Sequence, residues 1–547
     1  MTSVTDPAAP AAAALAGHAP GLVDGYHAAL PRALDSVGRK LLGAAWREDI
    51  GRARELLAPL RRHGFDRVDL PGPVRAWPHT LLDRLGVDSP VLAEELVNAC
   101  VNLAVAYARR PAIDAQLRHK AAHAGVDDLY GLAATLPGDE QVVLFERLAT
   151  EGHNLHPCGR TRLGWRVPDL LAHDLESPAT EVGFVAVRED LHIGDDVGRL
   201  LSAAYPALPA APAGYRVQPV HAWQLDSVLP DRYPELFADR SLLALPGARL
   251  SAAPTTALRT VLLEPDAAGV RRYLKLSLDI QVTSTRRGIS VASTRNGPAL
   301  SALLDRLLAG EPGVLTLPEV AGAAVTVGDG RDLSVIVRDS LAGRLAPGEV
   351  ALPATALTAR AGTGTVVGEL LRGYPGGALE FLADYAAVLL PPLLRLARAG
   401  VGLEAHLQNS LPTFRGGRPH RIAFRDFAGL RLHLPRLAQA PGGAPRLWPG
   451  SAVGTGDLDV MLSKLGYTAV QAHLGELVLH LGERYRVPER DAWRTVRAVL
   501  DEPGSGARPE DVAFLTTPTV PHKALTRMRL AGRGDYYVPV HNPLHGV

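Results

Sequence analysis

The sequence predicts an α+β protein of several domains, and three observations carry that prediction. From about residue 24 to 150, apolar residues recur at helical spacing: Leu81, Leu82 and Leu85, then Val91, Leu92, Leu96 and Val97 lie three and four apart, with few strand signals between them. In the middle third, Leu274, Leu276, Leu278, Ile280 and Val282 alternate with Lys275, Ser277, Asp279, Gln281 and Thr283, the period of a strand with one apolar face. The last third opens on a long apolar segment and passes through a polar loop into another strand-like run. At 547 residues the chain exceeds what one ordinary core serves, so two to four domains are expected.

Taken in order, residues 1–21 are rich in Ala and Pro, have no Lys or Arg before Arg32, and are interrupted by Pro7, Pro10 and Pro20. The basic start of a signal peptide is missing, and residues 1–23 read as a disordered tail. Pro- and Ala-rich punctuation at residues 205–214 and 346–364 marks the domain joins. They give a mainly helical domain at 24–204, a sheet domain at 205–350 and a mixed domain at 351–547. Residues 258–264 reach the alternating run of 273–283 through Pro265, Asp266, Ala267, Ala268 and Gly269, which is turn chemistry, so a hairpin is expected. Residues 333–338 extend that sheet. A helix over 378–399 ends at Gly400 as its C′ residue, followed by a loop at 402–410 and a strand at 421–426.

Composition excludes several classes of function. There are 58 Lys plus Arg against 57 Asp plus Glu, a formal charge of +1, so no broad basic face for nucleic acid or anionic lipid is expected and anion binding must be local. Cys100 and Cys158 cannot build a disulfide framework and fit a reducing, cytoplasmic setting. The most apolar stretch, residues 385–394, is too short for the roughly 20 residues of a membrane span and carries Pro391 and Pro392.

Three constellations have chemical potential. Residues 152–164, Gly-His-Asn-Leu-His-Pro-Cys-Gly-Arg-Thr-Arg-Leu-Gly, set His153, His156, Arg160 and Arg162 in a loop bounded by Gly and Pro, suited to gripping a polycarboxylate or phosphate; a solvated loop with incidental His is the plainer alternative. A zinc site is disfavoured because no third ligand stands at metal spacing. The polar side of the alternating run and its continuation bring Lys275, Ser277, Ser284, Thr285, Arg286, Arg287 and Arg295, hydroxyls followed by Arg forks that match tetrahedral oxyanions; the alternative is a charged edge strand, and no P-loop pattern is present. The third, Glu404-Ala405-His406-Leu407-Gln408-Asn409 with Asp426 seventeen residues after Asn409, offers two carboxylates to a Mg²⁺; the plainer alternative is a helix-to-strand connection with polar residues on its exposed side.

In this order the three segments resemble the IucA/IucC-type siderophore synthetases, independent of non-ribosomal peptide synthetases. Residues 152–164 resemble Gly-His-x-x-His-Pro-x-x-Lys-x-Arg-x-Gly, with Arg160 at the Lys position and Asn154 where Pro is common. Residues 274–287 resemble Lys-Leu-Ser-Leu followed by Thr-Ser-x-x-Arg, and residues 254–260 the element before it. Glu404 to Asn409 resembles Glu-Ala-His-x-Gln-Asn, residues 425–429 resemble Arg-Asp-x-x-Gly, and residues 523–530 resemble a C-terminal ferric-reductase-like (FhuF-like) segment. The resemblance implies a cupped hand of thumb, fingers and palm, the thumb being the helical region, the fingers the antiparallel sheet and the palm the mixed α/β region. It implies ATP and Mg²⁺ between fingers and palm, and adenylation of a citrate-like or dicarboxylate substrate with release of pyrophosphate, then attack by an amine or hydroxyl. It further implies that Lys275, Ser284, Thr285, Arg287, Arg295, His406, Asn409 and Asp426 bind ATP, that Glu404 and Asp426 hold the metal, and that His153, His156, Arg160 and Arg162 meet substrate carboxylates. His156, Arg287 and His406 are the expected catalytic groups, and a homodimer the expected assembly.

Two competitors have less in their favour. A kinase-like phosphotransferase is suggested by His406-x-x-Asn409 and by Asp426-Phe427-Ala428-Gly429, but Gln408 stands where the kinase loop has its Asp base and no Gly-rich phosphate loop precedes it. A non-catalytic siderophore-binding protein rests on the C-terminal resemblance only, and no Cys lies there to hold a cluster.

Overall fold

Alternation of apolar residues commits the middle of the chain to a sheet, and a computed structural model, which describes residues 6–283, 285–532 and 534–547 with Thr285 in its backbone only, shows how far that sheet extends. Eight antiparallel strands lie in the order 192–194, 319–325, 335–339, 272–276, 260–263, 242–254, 180–188 and 215–221. The expected hairpin pairs Thr260–Leu263 with Arg272–Leu276, and Val335–Asp339 pairs on the other edge of Arg272–Leu276. Asp266 closes the turn by accepting from the nitrogens of Ala268 and Val270 at 2.9 Å each, before Gly269 at φ 77°.

Two expectations about this sheet need correcting. The sheet does not wait for residue 205: Thr180–Arg188 is an interior strand, buried on both faces except near its ends, so the join at 204/205 cuts through it. The alternating run is not one strand but two, Arg272–Leu276 and Leu278–Val282, parted at Ser277. There the Ser277 nitrogen donates to the Ser334 carbonyl at 3.0 Å while Ser277 Oγ accepts from the Ser334 nitrogen at 3.1 Å, ending the ladder. The second half then leaves the sheet to pair with Thr285–Arg287. The polar side of the first half does not meet solvent: Lys275 is buried.

The N-terminal helices Val23–Arg47, Pro78–Leu85 and Pro90–His123 pack round a core that includes Leu82, Leu96 and Leu103. The expected disordered tail is ordered from residue 6 on. Ala9–His18 is a helix, its Pro10 tolerated in the first turn, and Leu15 is fully buried in that same core. Tyr26 donates its hydroxyl to the Ala8 carbonyl at 3.2 Å.

In the last third, Gly377–Ala399 is the central helix of the largest core and ends as expected at Gly400, with φ 104°. Pro90–His123 and Gly377–Ala399 are long and apolar enough to span a membrane by length and composition, and both are core helices here. A four-stranded sheet, 314–316, 418–424, 410–415 and 349–351, carries Arg418–Phe424 to the residues that matter below.

One of the buried ion pairs between the regions reaches all three. Glu146, at the end of the helix Gly138–Glu146, is fully buried and accepts from Arg425 Nη2 at 2.5 Å through Oε1, and from the Thr256 nitrogen at 2.8 Å through Oε2. Arg425 also donates to the Gln408 carbonyl from Nη2 at 2.8 Å and Nε at 3.0 Å. Removing one partner strands a buried charge, a loss of about 3 kcal/mol or more. Glu146→Ala is therefore expected to lower the unfolding free energy by that amount, read in equilibrium unfolding as a lower urea midpoint; an unchanged midpoint would contradict the bridging role.

Candidate active site

A cavity of about 730 Å³ opens where these regions meet, within the range of small-molecule sites. Its wall is drawn from residues 148–154, Gly159, Arg160, Arg162, residues 256–259, Val282, Thr283, Arg287, residues 406–408, Asp426 and the helix Gly475–Tyr485, joined by Lys40 and Arg110 from the N-terminal helices; His156 stands behind this wall. Nine Lys and Arg side chains line it against three carboxylates, Glu151, Asp426 and Glu476, so the site attracts a polyanion in a chain whose total charge is nearly zero.

The loop after Glu146 folds by close glycine contact. A Cβ on Gly152 would stand 2.7 Å from the Gly159 carbonyl oxygen, and one on Gly159 would stand 2.7 Å from the His153 nitrogen. His153 Nδ1 accepts from the nitrogens of Leu155 and His156 at 3.1 Å, and His156 Nδ1 accepts from the Cys158 nitrogen at 3.0 Å. Each neutral ring therefore carries its proton on Nε2. Burial, helped by neighbouring positive groups, pushes His153 well below its usual range and His156 down to about 3.

Arg160 and Arg162 reach the cavity wall, but much of each guanidinium is engaged inside the protein. Arg160 Nη2 donates to Asp174 at 3.0 Å and Glu176 at 2.9 Å. Arg162 donates to the carbonyls of Gly159 and Thr161 at 3.2 and 2.9 Å and meets Asp174 at 3.4 Å. As they stand, the two arginines brace the loop more than they offer free forks to a substrate carboxylate.

Leu163 bridges to Gln281, which sets this loop against the strand Leu278–Val282 and so joins the first two constellations. Arg287 Nη2 donates to Thr283 Oγ1 at 2.8 Å, and Arg259 Nη1 donates to the carbonyls of Arg287 and Gly288 at 3.1 and 2.9 Å. Burial and the nearby Arg259 and Arg162 lower Arg287 to about 9. Three non-glycine residues of the wall, Leu258, Thr283 and Asp426, have φ of 61°, 54° and 65°. Left-handed backbone is costly, most of all for the β-branched Thr283, and its concentration here marks a site held against local preference.

His406 lines the cavity; its Nδ1 lies 3.4 Å from the Asn409 nitrogen, and burial lowers its pKa although Glu404 and Asp426 oppose that. Asp426 accepts from Lys275 Nζ at 2.6 Å, with Arg338 at 3.8 Å from its other oxygen. Burial would raise its pKa, yet Lys275, Arg338 and Arg259 hold the carboxyl well below the usual range. Lys275 thus stands behind Asp426 and not in the cavity wall.

Glu404 and Asn409 also stand behind the wall. Glu404 accepts from Lys464 Nζ at 3.0 Å and packs on Gly429, and Asn409 Nδ2 donates to the Glu404 carbonyl at 3.2 Å. Among the described residues no three His, Cys, Asp or Glu side chains gather as a metal site. Glu404 and Asp426 do fit Mg²⁺ in donor type, since both are hard oxygen donors with depressed pKa values and both act on His406. Each, however, is neutralised by a lysine in this structure.

Arg295 is not brought to the cavity. It lies on the helix Val291–Leu307 with Nη1 3.6 Å from Asp195, because helical spacing turns it toward the outer edge of the sheet. Ser284 and the Thr285 side chain lie outside the described residues. Sequence reasoning missed Arg259, Lys40, Glu151 and Glu476. Arg259 sat in a segment read as a strand and for its resemblance, Lys40 and Glu476 come from helices, and Glu151 from the turn after the helix Gly138–Glu146, where polar residues have no local signature.

The buried neutral histidines predict a pH dependence of stability. Folded His156 titrates near 3 and an unfolded His near 6.5, so between those values the unfolded chain binds more protons and stability falls as pH falls. The contribution is complete above about pH 6.5. Thermal unfolding between pH 7 and 5 is expected to show a falling midpoint, with a shallower fall in His156→Gln; equal slopes would contradict it.

Residues 141–359 match the IucA / IucC family, and residues 379–538 match the family described as ferric iron reductase FhuF-like transporter. The D-ornithine–citrate ligase of Staphylococcus aureus (strain NCTC 8325 / PS 47) is 24% identical over 90% of this chain and 85% of its own. In fold, the petrobactin biosynthesis protein AsbB of Bacillus anthracis str. Sterne superposes with a TM-score of 0.77 over 96% of this chain and 97% of its own, at 19% identity. ATP-bound aerobactin synthetase IucA of Klebsiella pneumoniae superposes at 0.68 over 86% of each chain, at 18% identity. The two matched regions run in order from residue 141 to 538, so most of the chain is similar to the IucA / IucC family and to the family described as ferric iron reductase FhuF-like transporter.

Proposed function

We propose that the chain is an ATP-dependent ligase that adenylates a carboxylate of the citrate, citryl or succinyl class and joins it to an amine or hydroxyl. The observation that carries this reading is the cationic cavity bounded by Arg259, Arg287 and His406, with one carboxylate, Asp426, on the same wall. Support comes from the ATP-bound state of one structural neighbour and the citrate ligase activity named for a relative.

In the proposed reaction a carboxylate oxygen attacks the α-phosphorus of ATP, the bond to the β-phosphate breaks, and pyrophosphate leaves. The amine or hydroxyl then attacks the acyl carbon, AMP departs, and the nucleophile loses one proton. Charge develops on phosphate oxygens in the first step, where the forks of Arg259 and Arg287 and the Nε2–H of a neutral His406 can donate. Lys275 keeps Asp426 ionised and oriented. A Mg²⁺ held by Asp426 and Glu404 would neutralise triphosphate charge when bound, each carboxylate exchanging its lysine for the cation. The proposal also takes the chain as a cytoplasmic homodimer with a cupped hand of thumb, fingers and palm, the fingers beginning with the strand Thr180–Arg188 rather than at residue 205.

Quenched reactions with ATP and a panel of carboxylates are expected to yield AMP and pyrophosphate only when a suitable carboxylate is present; ADP and phosphate would contradict the reading. Arg287→Ala is expected to weaken kcat/KM for ATP by about 2 kcal/mol, near thirtyfold, with Arg287→Lys recovering part because it lacks the fork. Unchanged kinetics would remove Arg287 from the phosphate site.

A further inference from the structure

The helix Gly475–Tyr485 presents Glu476, His480 and Arg484 at intervals of four, hence along one face, and all three line the cavity. Opposite lies the two-stranded ribbon of residues 360–365, whose Thr365 hydroxyl is 3.2 Å from His480 Nε2 and whose Arg360 also lines the cavity. Glu476 receives Arg67 at 2.8 Å and Asn154 at 3.0 Å, both on Oε2. Among the described residues Oε1 accepts no hydrogen bond, and the carboxyl is kept below its usual range because Arg67 and Asn154 outweigh the effect of burial. On the same rim, again among the described residues, Arg484 has neither hydrogen bond nor ion pair. The Arg360 side chain has only a 3.4 Å bond from Nε to the Gly362 carbonyl, while its backbone pairs with Thr365 and its carbonyl accepts from Arg110.

One rim of the cavity thus carries two guanidiniums without a carboxylate partner and one carboxylate with an open oxygen. Along the helix axis Glu476 and Arg484 are about 12 Å apart, and the tilt of helical side chains toward the N-terminus brings the Arg head back toward Glu476. We propose that this rim binds the nucleophile, and that the nucleophile is an amino acid with a second amine: its carboxylate lies between Arg360 and Arg484 and its ammonium end faces Glu476. The proposal rests on the ligase reading. A diamine or polyamine would leave both guanidiniums unpaired and facing further positive charge, and a polycarboxylate would meet Glu476.

The test uses the full-length protein with ATP and the carboxylate panel. Hydroxylamine trapping comes first: if no hydroxamate forms with any carboxylate, the ligase reading itself fails and the rim proposal falls with it. Given hydroxamate, ornithine is compared with putrescine and lysine with cadaverine, pairs that differ only in the carboxylate. The expected result is at least a tenfold higher kcat/KM for the diamino acids. Arg484→Gln and Arg360→Gln should each collapse that ratio by raising KM for the diamino acid. Equal use of both members of a pair, no diamino acid product at all, a ratio that survives both substitutions, or a raised KM for the carboxylate substrate instead would each overturn the proposal.

Discussion

Glu146 and Arg425 are 279 positions apart, and the buried ion pair between them is the contact on which the cavity wall depends. Glu146 ends a helix of the first region and its second oxygen takes the Thr256 nitrogen from the sheet. Arg425 follows the strand Arg418–Phe424 and holds the Gln408 carbonyl of the loop that carries His406. One pair of charges therefore fixes three segments that the chain delivers from separate regions. Buried pairs of this kind add little to stability when intact and cost much when broken, so their use here favours position over strength.

The same accounting of charge explains why an anion is wanted. Most buried cations near the cavity are matched from inside: Arg160 and Arg162 by Asp174 and Glu176, Arg338 by Glu319, Lys275 by Asp426, Lys464 by Glu404. Arg259 and Arg287 are left with backbone carbonyls and a hydroxyl, and no carboxylate bonds to them among the described residues. Burial first, and then repulsion from Arg259, lowers the pKa of Arg287, and the negative charge of a polyanion in the cavity would offset both. The strained backbone of Leu258, Thr283 and Asp426 lies round the same space, which is consistent with geometry kept for a ligand at the expense of local preference.

Local patterns were legible in the sequence and long-range pairings were not. The hairpin of Thr260–Leu263 with Arg272–Leu276, the strand Val335–Asp339 and the helix ending at Gly400 follow from period and turn chemistry. The break at Ser277 does not, because it is made by Ser334, fifty-seven positions away. Apolar content in the first residues looked like a tail, since nothing local reveals that Leu15 has a core to enter. At the site, His406, Arg287 and Asp426 could be read from their motifs, whereas Arg295 shared a polar run with Arg287 and was carried away from it by a helix. Glu146 and Arg259 gave no signal, for their roles exist only once the regions have met.

The central claim is that the cavity receives a triphosphate at Arg259 and Arg287 with Asp426 beside it. A crystal structure of the protein with a non-hydrolysable ATP analogue and Mg²⁺ tests it most directly. Phosphate oxygens are expected within hydrogen-bond distance of both guanidiniums, with Asp426 on the phosphate side of the nucleotide. A nucleotide bound elsewhere, or one whose phosphates contact neither Arg259 nor Arg287, would contradict it.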